Sequence, residues 1–301
     1  MSAAVLSTET LAALADADLD ADAVEALARA AVEEDLAGGV DVTSVATVPA
    51  ELAGTAAFVS RADGVVAGVP VAMAVLDVCS EGTAGVEHLS RSADGVVVTR
   101  GSSVLQARGP VRTLLTAERS ALNLLCHLSG VATLTRRWAD AVEGTGAHVR
   151  DTRNTTPGLR RLEKYAVRCG GGVNHRMALS DAALVKDNHV VAAGGVVAAF
   201  DAVRRQFPGL EGEVECDTLE QVREVVEAGA DLVLLDNMDL DTMRAAVALC
   251  RPAGVLTEAS GGLRLDDARA VAETGVDFLA VGALTHSAPV LDLGVDLSLE
   301  A

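Results

Sequence analysis

A chain of 301 residues, half of them apolar, can bury a large core as one big domain or two smaller ones. With 24 Lys and Arg against 43 Asp and Glu, the formal charge is -19, and aromatic residues make up only 2%. This balance argues against a general nucleic-acid or membrane surface and against base-stacking platforms. Cys79, Cys126, Cys169, Cys216 and Cys250 are scattered, with no Cys-x-x-Cys pair, which argues against a disulfide framework or a zinc site. No apolar run approaches a membrane span, and the first ten residues lack the basic start and apolar core of a signal peptide. A cytoplasmic protein is expected.

Residues 8 to 37 read as helical, with Asp22 as a cap and Gly38-Gly39 as the stop. Asp41-Val42-Thr43-Ser44 follows as a polar loop. Over 54 to 110, short Val-rich runs alternate with glycine-containing turns. Ala-Asp-Gly occurs at 62–64 and again at 93–95, each time before Val-Val, which is a hairpin signal in an antiparallel region. Residues 112 to 143 return to helical period, with Ser129-Gly130 as a candidate break. Arg119 and Asn123, four apart, share one face there.

From residue 147 a strand–helix rhythm sets in. Strand-like runs fall at Ala147–Thr152, Ala183–Val185, Glu213–Cys216, Leu232–Leu235, Val255–Glu258 and Phe278–Val281, with helical patterns such as Leu219–Ala228 and Leu240–Leu249 between them. Such alternation predicts parallel strands with helices outside, an α/β barrel that is incomplete if only six strands exist. The ends of these runs carry polar groups or glycine: Arg153, Lys186-Asp187-Asn188, Glu215 and Asp217, Asp236-Asn237, Glu258 and Ser260-Gly261-Gly262, and Gly282. In parallel barrels the site is built at those ends.

A local reversal of charge supports the same place. Between Arg150 and Arg176 lie seven cations and two acids in an otherwise acidic chain. Arg160, Arg161, Lys164 and Arg168 suit a solvated helix face. Arg153, Arg176 and Lys186 suit an anion pocket, where paired hydrogen bonds to carboxylate or phosphate contribute roughly 1.5–3 kcal/mol each. His175 reads equally well as a general acid or base and as a structural histidine. Glu215 and Asp236 can bind Mg²⁺ through water, hold sugar hydroxyls, or stabilise a developing positive charge. The glycines at 261, 262 and 282 offer backbone N–H groups to a phosphate. Lys186 has a rival role as a Schiff-base lysine, but neighbouring carboxylates would keep it charged. The sum is an enzyme for a phosphorylated, multiply anionic small molecule.

The runs Asp151-Thr-Arg-Asn-Thr-Thr-Pro-Gly, Glu163-Lys-Tyr-Ala-Val-Arg-Cys-Gly-Gly-Gly-Val-Asn-His-Arg, Val185-Lys-Asp-Asn-His, Glu213-Val-Glu, Leu234-Leu-Asp-Asn, Glu258-Ala-Ser-Gly-Gly and Val281-Gly-Ala-Leu-Thr-His are, in this order, familiar. Together with Glu34-Asp-Leu, Asp41-Val-Thr-Ser and Ala117-Glu-Arg they resemble the quinolinate phosphoribosyltransferase family, the carboxylating nicotinate-nucleotide pyrophosphorylases. The resemblance implies an N-terminal α/β sandwich over 1–125, which the tail 290–301 rejoins, and a catalytic α/β barrel over 126–289. It implies a pentosyltransferase of NAD biosynthesis: quinolinate and 5-phosphoribosyl-1-pyrophosphate, with Mg²⁺, give nicotinate mononucleotide, pyrophosphate and CO₂. It also implies a homodimer, or a larger assembly of dimers, in which Arg119 reaches the neighbouring site. Lys186, Glu215 and Asp236 are then the expected catalytic residues, with Glu215 and Asp236 facing the metal through water. Arg119, Arg153, Asn154, His175, Arg176, Ser260, Gly261, Gly262 and Gly282 complete the substrate site. One departure bears on substrate choice. Asn154 stands where the family usually has a lysine, so a paralogue acting on another pyridine or heteroaromatic acid is the alternative. Cys126 stands where glutamine is common, which reads as a packing change.

Overall fold

The computed structural model describes residues 5–300. In chain order, α1 (Thr8–Asp16), α2 (Ala21–Leu36) and α3 (Val42–Thr47) precede strands β1 (Ala53–Ser60) and β2 (Gly64–Val65). Then come α4 (Val69–Cys79), β3 (Glu87–Arg91), β4 (Val97–Val98), β5 (Ser103–Pro110) and the long α5 (Val111–Val142). The βα succession follows as β6 (His148–Arg150), α6 (Arg160–Cys169), β7 (Ala183–Val185), α7 (Asp187–Ala193), α8 (Val196–Gln206), β8 (Gly212–Cys216), α9 (Leu219–Glu227), β9 (Leu232–Asp236), α10 (Leu240–Cys250), β10 (Leu256–Ser260), α11 (Ala268–Ala272), β11 (Phe278–Ala280) and α12 (Ala283–His286). Strand β12 (Leu293–Leu299) ends the fold. Among the described residues no helix is long and apolar enough to cross a membrane.

Two compact units share the chain. One holds residues up to Leu134, Arg161–Gly170 and the stretch from Ala288; the other holds Thr135–Arg160 and Gly171–Ser287. The division therefore falls inside α5, later than residue 125, and most of α6 returns to the first unit.

The first unit is built on an antiparallel sheet of order β12-β1-β5-β3. Along β1 every second residue is buried, the period-2 signature of a sheet with one covered face. The Val-rich region is not all strand, because α4 lies within it. Ten of its residues are buried, so it is apolar on every side and shows no helical stripe in sequence. Its start is marked instead by Pro70 in the first turn and by a remote cap. The carboxylate of Asp94, from the second Ala-Asp-Gly, accepts the N–H groups of Gly68 (2.7 Å) and Val69 (3.1 Å) and the hydroxyl of Tyr165 (2.8 Å). The N-terminal helical stretch is two helices, and Asp20 rather than Asp22 caps the second by accepting from the Ala23 N–H.

Helix α5 runs unbroken through Ser129-Gly130. Gly130 serves a close approach: a Cβ there would lie 2.2 Å from the Pro289 carbonyl oxygen and 2.9 Å from Val290 Cα. Gly130→Ala would gain up to about 1 kcal/mol in helix propensity. Against that stands an overpacking cost of about 1–3 kcal/mol, here against backbone that cannot rotate away. Gly130→Ala is expected to lower the urea midpoint at unchanged m; a raised midpoint would contradict the close-approach reading.

The second unit carries the parallel sheet β6-β11-β10-β9-β8-β7. It is an open, incomplete barrel. Val173 adds a single parallel bridge to Arg150 beyond β6. The buried residues of α8, α9 and α10, among them Phe200, Val222, Val225 and Met243, line the helix faces.

Candidate active site

Each parallel strand of the second unit ends in a short turn that presents side chains. β6 leads into Asp151-Thr152-Arg153-Asn154. Asp151 is fully buried, and its carboxylate accepts the His175 N–H (2.9 Å) and the Asn174 side-chain amide. One buried acid thus ties the turn after β6 to the segment that carries His175 and Arg176. Arg153 has a buried Nε with no hydrogen-bond partner among the described residues. It also repels Arg176, whose pKa is lowered first by burial and then by this neighbouring guanidinium. Two nearby cations, one with an unanswered buried donor, are an arrangement that an anion would satisfy.

Lys186 follows β7 and caps α7. Its Nζ donates to Glu215 Oε2 at 2.9 Å; the lysine is half exposed and Glu215 is 11% exposed. Glu215 pairs in register with Leu234 of β9, and Asp236 ends that strand opposite Ser260. The Asp236 carboxyl is raised above the usual carboxylate range, first by burial and then by repulsion from Glu215 and Asp217, while accepting from the Asn237 side chain. The acids here outnumber their cations, an environment that fits a hydrated divalent cation or a developing positive charge.

Ser260 ends β10, and the glycines after it are required by backbone. Gly261 (φ +88) and Gly262 (φ +58) occupy the left-handed region, and a Cβ on Gly261 would come within 2.3 Å of Asn237 Oδ1. At Gly282, before α12, a Cβ would meet Asn154 Nδ2 at 3.0 Å, His286 Nε2 at 3.4 Å and Thr152 Oγ1 at 3.4 Å. Thr285 Oγ1 donates to the Asn154 carbonyl at 2.7 Å, so the turn after β6 is fastened to the turn after β11. Thr152 and His286 therefore join the cluster, although their residue types alone gave no signal.

The structure brings Arg153 with Arg176, Lys186 with Glu215, and Asn154 with Gly282. Arg119 is exposed on the part of α5 that belongs to the first unit. Lys164, expected on a helix surface, is fully buried in the first unit. His175 is turned inward. Its Nε2 lies 2.7 Å from Glu213 Oε2 and 3.7 Å from Glu258 Oε1, and its Nδ1 accepts the Arg176 N–H at 2.7 Å. Arg150 Nη1 donates to Glu258 Oε2 at 2.8 Å while its guanidinium stacks 4.4 Å over the Phe278 ring. Burial pushes Glu213 up to about 7, and burial together with the Glu213 charge pushes Glu258 up to about 7. Next to this group is a cavity of about 660 Å³, bordered by Arg176 and by the first residues of the strands, such as Ala183, Leu232 and Phe278. The signal for Glu213 was its place two residues before Glu215, which puts both on one face of β8.

An open parallel barrel whose strand ends gather paired arginines, a lysine and crowded acids defines a class: α/β proteins that hold a multiply charged small anion at the barrel mouth. The family models make it specific. The quinolinate phosphoribosyl transferase C-terminal domain matches residues 131–296 and its N-terminal domain matches 41–129, and the chain belongs to this family. It is 51% identical over 282 residues, 93% of this chain and 99% of the relative, to the nicotinate-nucleotide pyrophosphorylase [carboxylating] of Mycobacterium leprae. It is 39% identical to the probable enzyme of that name from Bacillus subtilis, over 88% of this chain and 90% of the relative. Among solved structures, NadC from Streptococcus pyogenes superposes with a TM-score of 0.89 at 36% identity, covering 94% of this chain and 99% of the other.

Proposed function

We propose that this protein transfers the phosphoribosyl group of 5-phosphoribosyl-1-pyrophosphate to quinolinate with loss of CO₂, giving nicotinate mononucleotide and pyrophosphate in NAD biosynthesis. The observation that carries the reading is the Arg153–Arg176 pair, with its buried unanswered Nε, beside the Lys186–Glu215 ion pair. Quinolinate presents two adjacent carboxylates, which suit two guanidinium groups and an ammonium. Its ring nitrogen attacks C1 of the ribose as pyrophosphate leaves. Glu215 and Asp236 favour the positive charge that develops at the sugar. The nitrogen becomes a pyridinium, whose positive charge stabilises the carbanion left at C2 when the 2-carboxylate departs as CO₂, and that carbon then takes a proton from solvent to give nicotinate mononucleotide. Binding geometry, rather than a proton relay, is the protein's main contribution to that second step.

The crowded acids Glu215 and Asp236 are the residues that would hold Mg²⁺, through water, where the ion would supply positive charge to the departing pyrophosphate. We propose a homodimer in which Arg119, exposed on α5, serves the neighbouring site. A Schiff-base role for Lys186 is disfavoured, because an amine held at 2.9 Å from a carboxylate is not a free nucleophile.

The test is to supply quinolinate labelled in its 2-carboxylate with 5-phosphoribosyl-1-pyrophosphate and Mg²⁺. Labelled CO₂ and nicotinate mononucleotide are expected in equal amounts; no product under any of these conditions would sink the quinolinate assignment. Asn154 supplies a further prediction. Its side chain is exposed beside Gly282, where a lysine would bring a charge to the diphosphate. Asn154→Lys is expected to lower KM for the diphosphate substrate by about tenfold, with KM for quinolinate little changed. A changed choice of heteroaromatic acid on making N154K would instead favour the paralogue reading.

A further inference from the structure

Arg153 and Arg176 sit on separate stretches of chain, and each stretch is tied to the other at two places. The first tie lies ahead of both arginines. Val173 forms a parallel bridge to Arg150, its N–H donating to the Val149 carbonyl at 2.8 Å. One step on, the fully buried Asp151 carboxylate accepts the His175 N–H at 2.9 Å and the Asn174 side-chain amide. The second tie lies just beyond both. Arg160 Nε donates to Thr155 Oγ1 at 3.0 Å, and Arg160 Nη1 donates to the Met177 carbonyl at 3.0 Å. Thr155 is itself folded back, its N–H donating to the Arg153 carbonyl at 2.9 Å. Arg153 thus stands between Asp151 and Thr155, and Arg176 between His175 and Met177. The pair is bracketed on both sides by hydrogen bonds that join its two stretches.

Helix stability does not account for Arg160. Its spacing in the sequence suits a solvated helix face, yet its side chain is half-buried and uses two nitrogens on the neighbouring turn and segment. As the first residue of α6 it also has the wrong sign for the positive end of a helix. Both of its acceptors are neutral oxygens, so these bonds fix geometry without neutralising the guanidinium. A lysine would offer a single nitrogen where the planar fork offers several at set angles. What the bracket controls is separation. One carboxylate can be met by one cation wherever it lies, whereas two carboxylates on adjacent ring atoms need two cations at one spacing. A displacement of about 1 Å in such a receptor costs on the order of 10²-fold. A pair held in place before binding also avoids the cost of ordering on binding.

We propose that Asp151 and Arg160 are positioning residues that fix the separation of Arg153 and Arg176, and that this fixed separation makes the pocket select two adjacent carboxylates over one carboxylate or two set further apart. The inference rests on the reading of that arginine pair as the receptor for quinolinate. Neither positioning residue touches the substrate. Asp151 acts through the backbone N–H of His175, next to Arg176, and Arg160 acts through Thr155 and the Met177 carbonyl. The far end of Arg176 is steadied as well, because its Nη1 donates to the Ala182 carbonyl at 3.0 Å. Specificity for the acid is thereby divided. Arg153 and Arg176 supply the charge, and the two ties supply the spacing.

The test is calorimetric binding of three unreactive probes to the full-length protein: benzene-1,2-dicarboxylate, benzene-1,3-dicarboxylate and benzoate. The parent is expected to prefer the 1,2-isomer by about tenfold or more. Arg160→Met should weaken the 1,2-isomer about tenfold and benzoate less than about threefold, so that the preference collapses. Arg160→Lys should recover part of it. Thr155→Val should give a smaller loss in the same direction, and adding T155V to R160M should cost little more, since both remove one tie. In turnover, R160M should raise KM for quinolinate about tenfold, with kcat and KM for the diphosphate substrate moved less than about threefold. Asp151→Ala should act like R160M from the other side; if that variant fails to fold, the Arg160 and Thr155 variants still decide. An R160M protein that keeps the 1,2-preference, or that loses all three probes equally, overturns the proposal and leaves the quinolinate reading standing. A parent that binds the 1,2- and 1,3-isomers alike also overturns it. A parent that binds neither dicarboxylate sinks the quinolinate reading, and this inference with it.

Discussion

Arg153→Ala is expected to reduce kcat/KM for quinolinate by about 10²–10³-fold, because charge-assisted hydrogen bonds contribute roughly 1.5–3 kcal/mol each and the guanidinium can make two. The loss should fall mainly on quinolinate. The Nε that is buried without a partner in the free protein is the donor to be answered by a carboxylate. Removing Arg153 also removes its repulsion of Arg176, whose charged form is then opposed mainly by burial. The fold should be little affected, since among the described residues the Arg153 side chain supports no ion pair. Arg153→Lys should restore charge but not the planar fork, and so recover only part of the loss. Calorimetric binding of quinolinate measures the effect directly. An R153A protein that binds quinolinate within threefold of the parent would remove Arg153 from the pocket.

Glu215→Gln is expected to act on turnover instead. The substitution keeps the shape and a hydrogen bond to Lys186 but removes the negative charge proposed to stand beside the reacting sugar. Loss of one preorganised electrostatic group of this kind costs about 10²–10³-fold in kcat. Part of the loss should be masked. Glu215 is one of the charges that hold the Asp236 carboxyl above its ordinary range, so removing it lets Asp236 ionise more readily. The double variant E215Q/D236N should therefore fall further than the product of the single effects. Single-turnover release of pyrophosphate separates this step from product release. A kcat within threefold of the parent for E215Q would contradict a role for this carboxylate at the sugar.

How much of this was readable without coordinates depended on whether a residue announced its surroundings. The six parallel strands did, because apolar runs tipped with Arg153, Lys186, Glu215, Asp236 and Ser260 repeat at intervals. Asp20 and Asp22 could not be separated by type, since both are good caps and only the Ala23 N–H distinguishes them. Helix α4 was hidden by being apolar all round, which erases the stripe that marks a helix. Gly130 resembled a break, although its missing side chain serves a neighbouring backbone and not a bend. Lys164 has the spacing of a surface cation but is fully buried. The Glu213–Glu258–His175 group was in plain view as motif letters. That the acids face each other follows only from strand order, which sets β8, β9 and β10 side by side.

One feature of the first unit bears on how the chain is made. Strand β1 spans Ala53–Ser60, and its partner along one side, β12, starts at Leu293, after the whole of the second unit has been translated. At about 5–20 residues per second, that side of β1 waits on the order of ten seconds or more for its ladder. During this interval a row of unpaired N–H and C=O groups is open to other nascent chains. The parallel unit, whose strands all lie within one continuous emerging stretch apart from the short α6 segment, is free to close first. Ribosome-bound chains arrested just before residue 293 should therefore be protease-resistant in the barrel and sensitive around β1, and release of the last segment should protect both.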